Sequence, residues 1–399
     1  MCMKSIIVLF PIMIFFLSTS CVPEKKAEND LANIDVTKKH PEKEIFLTDI
    51  AEITYLCLDP DDDYLYKGRI HSITENTIVV CDDASGSVLF FTKEGNPKSR
   101  FNHKGQGPEE YSFPHRVILD EATDDVYILD QRGYVSRIQV YSSTGVYKRS
   151  LAIPQGTLPL NDFFSYDDSS LFFYDESIML KRIAADYNES SDSIWRSSFY
   201  HIAKHDGTVL DHLELQIAPI FLGITTTEGD KATPRGITRI IKSKEGLFLC
   251  NPESDTVFLY RKNQPLLPVI YKTPSVASTN PRSYLNNCID LGNYQIMSVY
   301  TVSNELPMQY PVKFYMRNKN SGEVVHPQFF LPDYKDKEFD FSYRSIRRDY
   351  ANGHVYFELD LTELKQASRE NKLSGKLKEL VTSLNEDIDN NVFMFVDFK

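Results

Sequence analysis

The sequence predicts an all-β fold, and three observations support this prediction. The chain contains 23 tyrosines and 25 phenylalanines but a single tryptophan. Short runs of β-branched and aromatic residues recur, and Gly, Asn, Asp and Ser separate them, as is typical of strands joined by turns. The runs also recur as a unit, which indicates a repeat architecture. We therefore expect a chain of small antiparallel sheets.

The repeated unit is a strand that ends in a polar residue, a turn, a second strand and a glycine hairpin. Ile78–Asp82, Val88–Phe91 and Gly95 form its clearest copy. The polar residues that end the first run of each copy are Asp82, Asp130, Asp175, Asn251, Ser298 and Glu358. Their separations are 48, 45, 76, 47 and 60 residues, and a propeller blade takes about 40–50. Six copies predict a six-bladed β-propeller over residues 45–399, with an array of β-sandwiches as the alternative.

The N-terminus predicts export. Residues 1–20 contain Lys4 and then 12 apolar residues, Ile6–Leu17. This run is too short to span a membrane, which takes about 20 residues, but it suits a signal peptide. Leu17-Ser18-Thr19-Ser20-Cys21 resembles a bacterial lipobox, which implies cleavage before Cys21 and lipid on its thiol. We expect a lipid-anchored protein of the cell envelope, in the outer membrane, on either face; an ordinary secretory signal is the alternative.

Residues 21–44 carry the lipidated cysteine and a charged segment with scattered apolar residues. Such a segment buries too little apolar surface to offset its ordering entropy. We therefore predict a flexible tether here, with the folded domain starting at residue 45.

Three further segments complete the predicted ring. Ile45–Leu58 and Val392–Val396 are expected to pair within one blade, because propellers commonly close by joining strands from both termini. Leu361–Ile388 predicts a small helical insertion near the C-terminus, since Leu377, Leu380, Val381 and Leu384 follow helical spacing. Ser177–Ser198 is polar and predicts a long loop between strands.

Composition excludes some classes of partner. The formal net charge is −12, which disfavours binding to nucleic acid or to anionic lipid surfaces. We interpret Cys57, Cys81, Cys250 and Cys288 mainly as residues of core strands, although the sequence leaves disulfide bonds open. His201, His205 and His212 lack the spacing of a metal-binding motif, and no confident metal site is predicted.

The segment Lys104–Tyr111, Lys-Gly-Gln-Gly-Pro-Glu-Glu-Tyr, is similar to the Gly-x-Gly-Pro-Gly-Glu-Tyr signature of a family of six-bladed propeller lipoproteins. Leu56–Asp59 and Asn385–Val392 resemble the two ends of that family. Glu109 stands where the family usually has glycine. The resemblance implies NHL-like blades and a propeller fold, but it implies no reaction, since most of those proteins have no assigned activity.

Two groups of residues are candidates for facing a ligand. Gly105, Gln106 and Gly107 could offer backbone N–H groups, or they could form a rigid crossing between blades. The polar residues that end the runs, Asp82, Asp130, Asp175, Asn251 and Glu358 among them, could bind calcium through oxygen atoms. Alternatively, they cap turns through their own side chains.

These features favour a tethered binding module for a glycan, a peptide or a protein partner. The chain has neither a Gly-x-Ser-x-Gly nucleophile elbow nor a phosphate loop. The alternative is a propeller enzyme, such as a metal-assisted lactonase or a carbohydrate lyase or hydrolase. The sequence does not identify the ligand or the oligomeric state.

Overall fold

A computed structural model describes most of the predicted domain. The residues it describes are 31–60, 64, 66, 68–82, 84–132, 135–154, 163–175, 177, 195–217, 224–225, 231–232, 239–243, 245–302, 311–341, 355–386 and 388–398. The predicted signal peptide, residues 1–20, and the lipidation site Cys21 lie outside these ranges, as do residues 178–194 of the predicted long loop.

From residue 31 onward, the first elements are three strands and one helical turn. These are β1 (Ala32–Asp35), β2 (Glu42–Phe46), α1 (Leu47–Ile50) and β3 (Ala51–Cys57).

Five antiparallel sheets of four or more strands follow in chain order, and we number them blades 1 to 5. Blade 1 consists of β4 (Gly68–Ile73), β5 (Thr77–Asp82), β6 (Val88–Thr92) and β7 (Pro97–Phe101). Blade 2 consists of β8 (Pro114–Asp120), β9 (Asp125–Arg132), β10 (Val135–Tyr141) and β11 (Tyr147–Leu151). Blade 3 consists of β12 (Phe163–Asp167), β13 (Ser170–Asp175), β14 (Trp195–Ala203) and β15 (Val209–Ile217).

The next strands form a short ladder and two further blades. The ladder consists of β16 (Ile224–Thr225) and β17 (Lys231–Ala232). Blade 4 consists of β18 (Ile240–Ser243), β19 (Gly246–Cys250), β20 (Thr256–Tyr260) and β21 (Leu267–Thr273), and a 3₁₀ turn follows it at Val276–Ser278. Blade 5 consists of β22 (Ser283–Leu291), β23 (Tyr294–Thr301), β24 (Val312–Asn318) and β25 (Val324–Leu331), with β26 (Tyr334–Phe339) folded back on β25.

The C-terminal region holds β27 (Val355–Leu359), α2 (Leu361–Arg369), α3 (Gly375–Ser383) and β28 (Val392–Phe398). β27, β28 and β3 form a three-stranded sheet in that order. The predicted pairing of the two chain ends is confirmed, because Ala51–Cys57 runs antiparallel to Val392–Phe398. The helical insertion is also confirmed, and the side chain of Asp360 caps α2 by accepting the N–H of Glu363.

The predicted all-β propeller architecture is confirmed, with five blades of at least four strands in the described ranges instead of the six predicted. Neighbouring blades stack through alternating residues of their strands. In β9, Val126 and Ile128 join an apolar cluster with blade 1, whereas Tyr127 and Leu129 join a cluster with blade 3. Successive residues of a strand point to opposite faces. The second strand of a blade is therefore buried on both faces and forms a continuous apolar run.

The same stacking joins the three-stranded sheet to its two neighbours. Tyr356 and Phe393 lie in a cluster with Ile70 and Val80 of blade 1. The residues on the other face of that sheet lie in the largest cluster. This cluster also includes residues of blades 4 and 5 and of all three α-helices. The sheet therefore fills the space between blade 5 and blade 1.

The predicted boundary between tether and domain is corrected by the first two strands. The compact unit starts at Leu31, so residues 31–44 belong to the fold. β1 runs parallel to β21 and β2 runs parallel to β25, each along the outer edge of its blade. An edge strand needs few apolar residues, because backbone hydrogen bonds supply much of its pairing. We call residues 31–57 the strap. They run along the outer edges of blades 4 and 5 and then supply β3, the outer strand of the three-stranded sheet.

Cys57, Cys81 and Cys250 are not joined in disulfide bonds. Cys81 and Cys250 are buried in the second strands of blades 1 and 4. Burial raises the pKa of the Cys57 thiol to about 12. Cys288 lies in β22. Among the described helices, none combines the length and the apolar character needed to cross a bilayer.

Candidate functional site

A cavity of about 730 Å³ opens where the first hairpins of blades 1, 2 and 3 meet. We call it the hairpin pocket. Its walls include Glu75, Glu121 and Asp167 from those three hairpins, with Lys204 from blade 3 and Lys242 from blade 4. Small-molecule sites have volumes of about 300–1,000 Å³. The hairpin pocket is therefore large enough for a ligand of several residues or sugar rings.

Bulges shape the innermost strands that lead to this pocket. The pairing register shifts beside His71 in β4, beside His115 in β8 and at Tyr166 in β12. A bulge bends a strand and re-aims a side chain. In β4 it turns His71 toward blade 2, where Nδ1 accepts the Val117 N–H at 3.0 Å. A side chain of one blade thus satisfies an edge N–H of the next blade.

Two buried cations border the pocket. The Lys204 ammonium lies 2.6 Å from Asp120 Oδ2, and both side chains are more than nine-tenths buried. The Arg116 guanidinium lies over the Phe164 ring, 5.7 Å from its centroid. Because a buried pair is costly to break from one side, Lys204 and Asp120 are fixed parts of the wall.

Two carboxylates of the pocket are held in the ionised form by neutral donors. Partial burial raises the pKa of Asp167, but hydrogen bonds from Ser170 and Ser169 outweigh it and hold that pKa well below its ordinary value. Burial acts in the same way on Glu121, and hydrogen bonds from Thr77, Thr74 and Asn76 lower its pKa on balance. The pocket therefore presents anions at neutral pH, together with the ammonium groups of Lys93 and Lys242.

The polar residues predicted as possible calcium ligands lie at the far end of the second strands. β5 has six residues, so about 17 Å separates Asp82 from the first hairpin of its blade. Asp82 Oδ1 accepts the N–H groups of Ala84 and Ser85. Asn251 Oδ1 likewise accepts the Glu253 N–H. Both residues occupy turns next to their own strands.

Of the remaining members of this set, Asp175 caps its own turn, whereas Glu358 and Ser298 do not. Asp175 accepts hydrogen bonds from the backbone and the hydroxyl of Ser177. Glu358 accepts one from Asn391, and Ser298 is buried in β23. Across the described ranges, no group of three or more His, Cys, Asp or Glu side chains is arranged to hold a metal ion. The structure does not bring the set together around one point.

Asp130 connects this set to the crossing between blades 1 and 2. Its Oδ1 accepts the N–H groups of Ser112 and Phe113, and its Oδ2 lies 2.9 Å from Nε of Arg137. Arg137 and Gln139 also donate to the carbonyl of Pro108. These bonds tie the crossing to blade 2.

The crossing that contains Gly105, Gln106 and Gly107 uses its backbone N–H groups internally. The Gly105 N–H donates to the carbonyl of Tyr111, and the Gly107 N–H donates to Glu110 Oε2 at 2.7 Å. The Gln106 side chain is exposed. The aromatic residue that ends the motif is buried, and its hydroxyl donates to the Gly86 carbonyl.

The sequence does not predict the hairpin pocket. Its wall residues are separated by about one blade each, as Glu75, Glu121 and Asp167 show, so no local motif unites them. The one available signal was the recurrence of acidic residues at the first hairpin of successive repeats. Of the three histidines noted in the sequence, His201 alone is buried, in β14 next to the pocket.

The fold and the pocket define a class of protein, a propeller with a polar pocket at one end of its ring. They do not by themselves identify its function. Within that class, the chain belongs to a family described as a domain of unknown function (DUF4934), which matches residues 31–397. None of the curated proteins compared with the chain matches it.

One of the similar solved structures supports the fold. A Bacteroides fragilis protein inferred to be exported is 16% identical, with a TM-score of 0.59 over 92% of this chain and 99% of its own. A nidogen–laminin complex is 11% identical over 69% of this chain and 94% of the other, with a TM-score of 0.35. A catalytically inactive virginiamycin B lyase from Staphylococcus aureus is 8% identical over 69% and 97%, with a TM-score of 0.30. At such identities the first likeness concerns the fold alone.

Proposed function

We propose that this protein is a lipid-anchored binding module of the cell envelope, whose propeller takes a polar, charge-bearing ligand in the hairpin pocket. A glycan, a peptide or a segment of a partner protein would offer such groups. The observation that carries this proposal is a cavity of about 730 Å³ whose walls contain carboxylates and ammonium groups from four blades. Binding sites commonly combine a pre-formed cavity with a few convergent polar groups.

We also propose that the three-stranded sheet is a sixth blade of NHL-like type, as in the lipoprotein family that the sequence resembles. Its packing between blades 5 and 1 supports this proposal. So does its composition from both chain ends, since such pairing removes the exposed edges of a ring.

Ligand binding is tested with soluble protein lacking residues 1–21 on glycan and peptide arrays. Glu75→Gln and Lys242→Gln each remove one charge from the pocket, and we expect each to weaken binding of the best ligand about tenfold. Lys313→Gln, an exposed change on β24 away from the pocket, serves as the control and should bind as the wild type does. Equal loss in all three variants, or binding unaffected in the pocket variants, would refute the assignment of the site.

The anchor is tested by labelling with radioactive palmitate in a Gram-negative host. We expect label in the wild type and in Cys2→Ser, but none in Cys21→Ser, because the acceptor is the thiol that follows the predicted cleavage site. Fractionation of the envelope then shows whether the labelled protein lies in the outer membrane. Equal labelling of both cysteine variants would contradict the lipobox prediction.

Metal analysis distinguishes binding from the metal-assisted enzyme alternative. We expect purified soluble protein to hold no stoichiometric calcium and to melt at the same temperature with and without chelator, since Asp82, Asp175 and Asn251 cap their own turns and Asp130 is paired with Arg137. One tightly held calcium ion, with a melting point that falls on chelation, would instead favour the enzyme.

A further inference from the structure

A chain of hydrogen bonds leads from the hairpin pocket into the interface between blades 3 and 4. The Ser170 hydroxyl donates to Asp167 Oδ1 at 2.6 Å and lies 2.7 Å from Nε2 of His201. On the other side of the ring, Nδ1 lies 3.0 Å from the Tyr260 hydroxyl, which donates to Asp211 Oδ2 at 3.1 Å. Ser170, His201 and Tyr260 are buried, whereas the two carboxylates are half-buried.

The protons in this chain are coupled. Each hydroxyl has one proton, and in this arrangement both protons go to carboxylates. The two ring nitrogens of His201 then face oxygen lone pairs, which suits a doubly protonated ring. A neutral ring has one nitrogen without a proton, and that nitrogen competes with a carboxylate for the proton of one hydroxyl. Since Ser170 is one of the two hydroxyls, the charge of His201 is linked to the bonding of Asp167.

Burial and the charged groups around His201 determine the pH range in which its imidazole gains a proton. Burial lowers the pKa of His201 below its ordinary value of 6.5, and Lys262 lowers it further, whereas Asp167 and Asp211 oppose both. The Tyr166 ring covers the imidazole with its centroid 4.7 Å away. On balance the pKa of His201 is lowered, so the ring is mainly neutral at pH 7.

Asp167 is the member of this chain that the ligand can reach, because it lines the hairpin pocket. Its Oδ1 accepts three hydrogen bonds, from the N–H and hydroxyl of Ser169 and from Ser170. Its Oδ2 lies 3.5 Å from the ammonium of Lys262, whose side chain is 40% exposed. A solvated ammonium is weakly held, so a ligand cation can take its place at Oδ2.

We propose that Asp167 binds a cationic group of the ligand and that protonation of His201 weakens this contact. The proposal rests on the proposed function, binding in the hairpin pocket. A neutral His201 competes with Asp167 for the Ser170 proton and so weakens one of the donors to Asp167. A protonated His201 adds a positive charge two hydrogen bonds from Asp167 and ends this competition. Affinity for a cationic ligand therefore falls on acidification.

The internal coupling is tested without a ligand, by NMR of the Cε1–H group of His201 in soluble protein, assigned with His201→Gln. We expect a midpoint below 6.5 that falls by about half a pH unit in Asp167→Asn, because the imidazolium loses an anion. Asp168→Asn is the control, since Asp168 is exposed and outside the chain of bonds; it should move the midpoint less. A midpoint that Asp167→Asn leaves unchanged would overturn the coupling.

The effect on binding is tested on arrays of lysine- and arginine-containing peptides, with acidic peptides beside them, at pH 7.5 and pH 5. We expect basic peptides to bind the wild type about tenfold more weakly at pH 5, and His201→Gln and Ser170→Ala to lose most of this dependence. If both variants keep it, or if only acidic peptides bind, the inference fails while binding in the pocket stands. If no peptide or glycan binds at either pH, the proposed function itself fails, whatever the NMR titration shows.

Discussion

At the scale of single residues, a positive φ explains why glycine recurs in the third hairpins, and a contact between blades adds to this requirement at some of them. Gly207 has a φ of +82°, and a Cβ there would lie 2.0 Å from the carbonyl oxygen of Ala152 in blade 2. Gly322, at the equivalent hairpin of blade 5, has a φ of +73° and nothing within 4 Å of a Cβ. Both glycines have left-handed backbone, but only Gly207 also requires the absence of a side chain. A comparison of Gly207 with Gly322 therefore separates the effect of backbone conformation from the effect of the contact between blades.

Gly207→Ala should destabilise the protein more than Gly322→Ala. We expect a loss of about 1 kcal/mol at Gly322, from backbone strain alone, and about 2–4 kcal/mol at Gly207, where the hairpin must also move away from blade 2. Chemical denaturation followed by circular dichroism measures both. Equal losses would show that the contact between blades adds nothing.

His201 predicts a dependence of stability on pH. Because its pKa is lower in the folded protein than in the unfolded chain, the folded state binds fewer protons, and stability is lost as pH falls below about 6.5. His201→Gln should remove part of the difference in unfolding free energy between pH 7.5 and pH 5.5. His205→Gln, an exposed change in the same blade, should leave that difference intact. A larger effect of His205→Gln than of His201→Gln on this difference would contradict the argument from burial.

The sequence predicts residues whose role is local. Asp82 and Asn251 could be assigned as turn caps, because each accepts the N–H of the residue two positions on. It does not predict residues that act across blades. Lys204 and Asp120 are 84 positions apart, and only the ring brings them together.

At the scale of elements, the strap shows how a polar segment can belong to a fold. Ala32 and Ile34 are buried on one side of β1, while the residues between and around them face solvent. Hydropathy alone suggests a tether, because the four apolar residues among the many charges of residues 31–44 are a weak signal. The remaining stabilisation comes from backbone pairing with the partner strand β21. The sequence of residues 31–44 does not indicate this pairing.

Ile34→Ala should therefore cost stability although it lies in a segment predicted as flexible. Ile34 is fully buried and belongs to the largest apolar cluster, so we expect a loss of about 2–4 kcal/mol. Lys43→Ala, an exposed change on β2, should cost less than about 0.5 kcal/mol. Thermal melting of the two variants decides, and an unchanged melting point for Ile34→Ala would place β1 outside the cooperative unit.

At the scale of the whole molecule, the repeats predict the propeller because each blade buries the same alternating pattern. They predict the number of blades less well. The last sheet uses strands from both ends of the chain and contains two helices between β27 and β28, so its sequence departs from the repeat. The sequence contains six repeats, one more than the number of described sheets with four or more strands. The additional repeat falls in the three-stranded sheet.

Removal of the strap should abolish cooperative folding. A chain that starts at Leu58 lacks β3 and leaves β28 without its outer partner, so the ring has an open edge. We expect this chain to aggregate or to melt without a sharp transition, whereas a chain that starts at Leu31 should melt as the mature protein does. Calorimetry compares them, and a sharp transition in the shorter chain would show that closure is dispensable.

The strap also sets a constraint on biogenesis. Its three strands leave the ribosome first, yet their partners β21, β25 and β28 lie about 240, 280 and 340 residues downstream. β1 can pair once residues up to Thr273 have emerged, whereas β3 must wait for β28 near the C-terminus, and such distant contacts slow folding. In the export that we propose, the ring therefore cannot close before almost the whole polypeptide has left the ribosome.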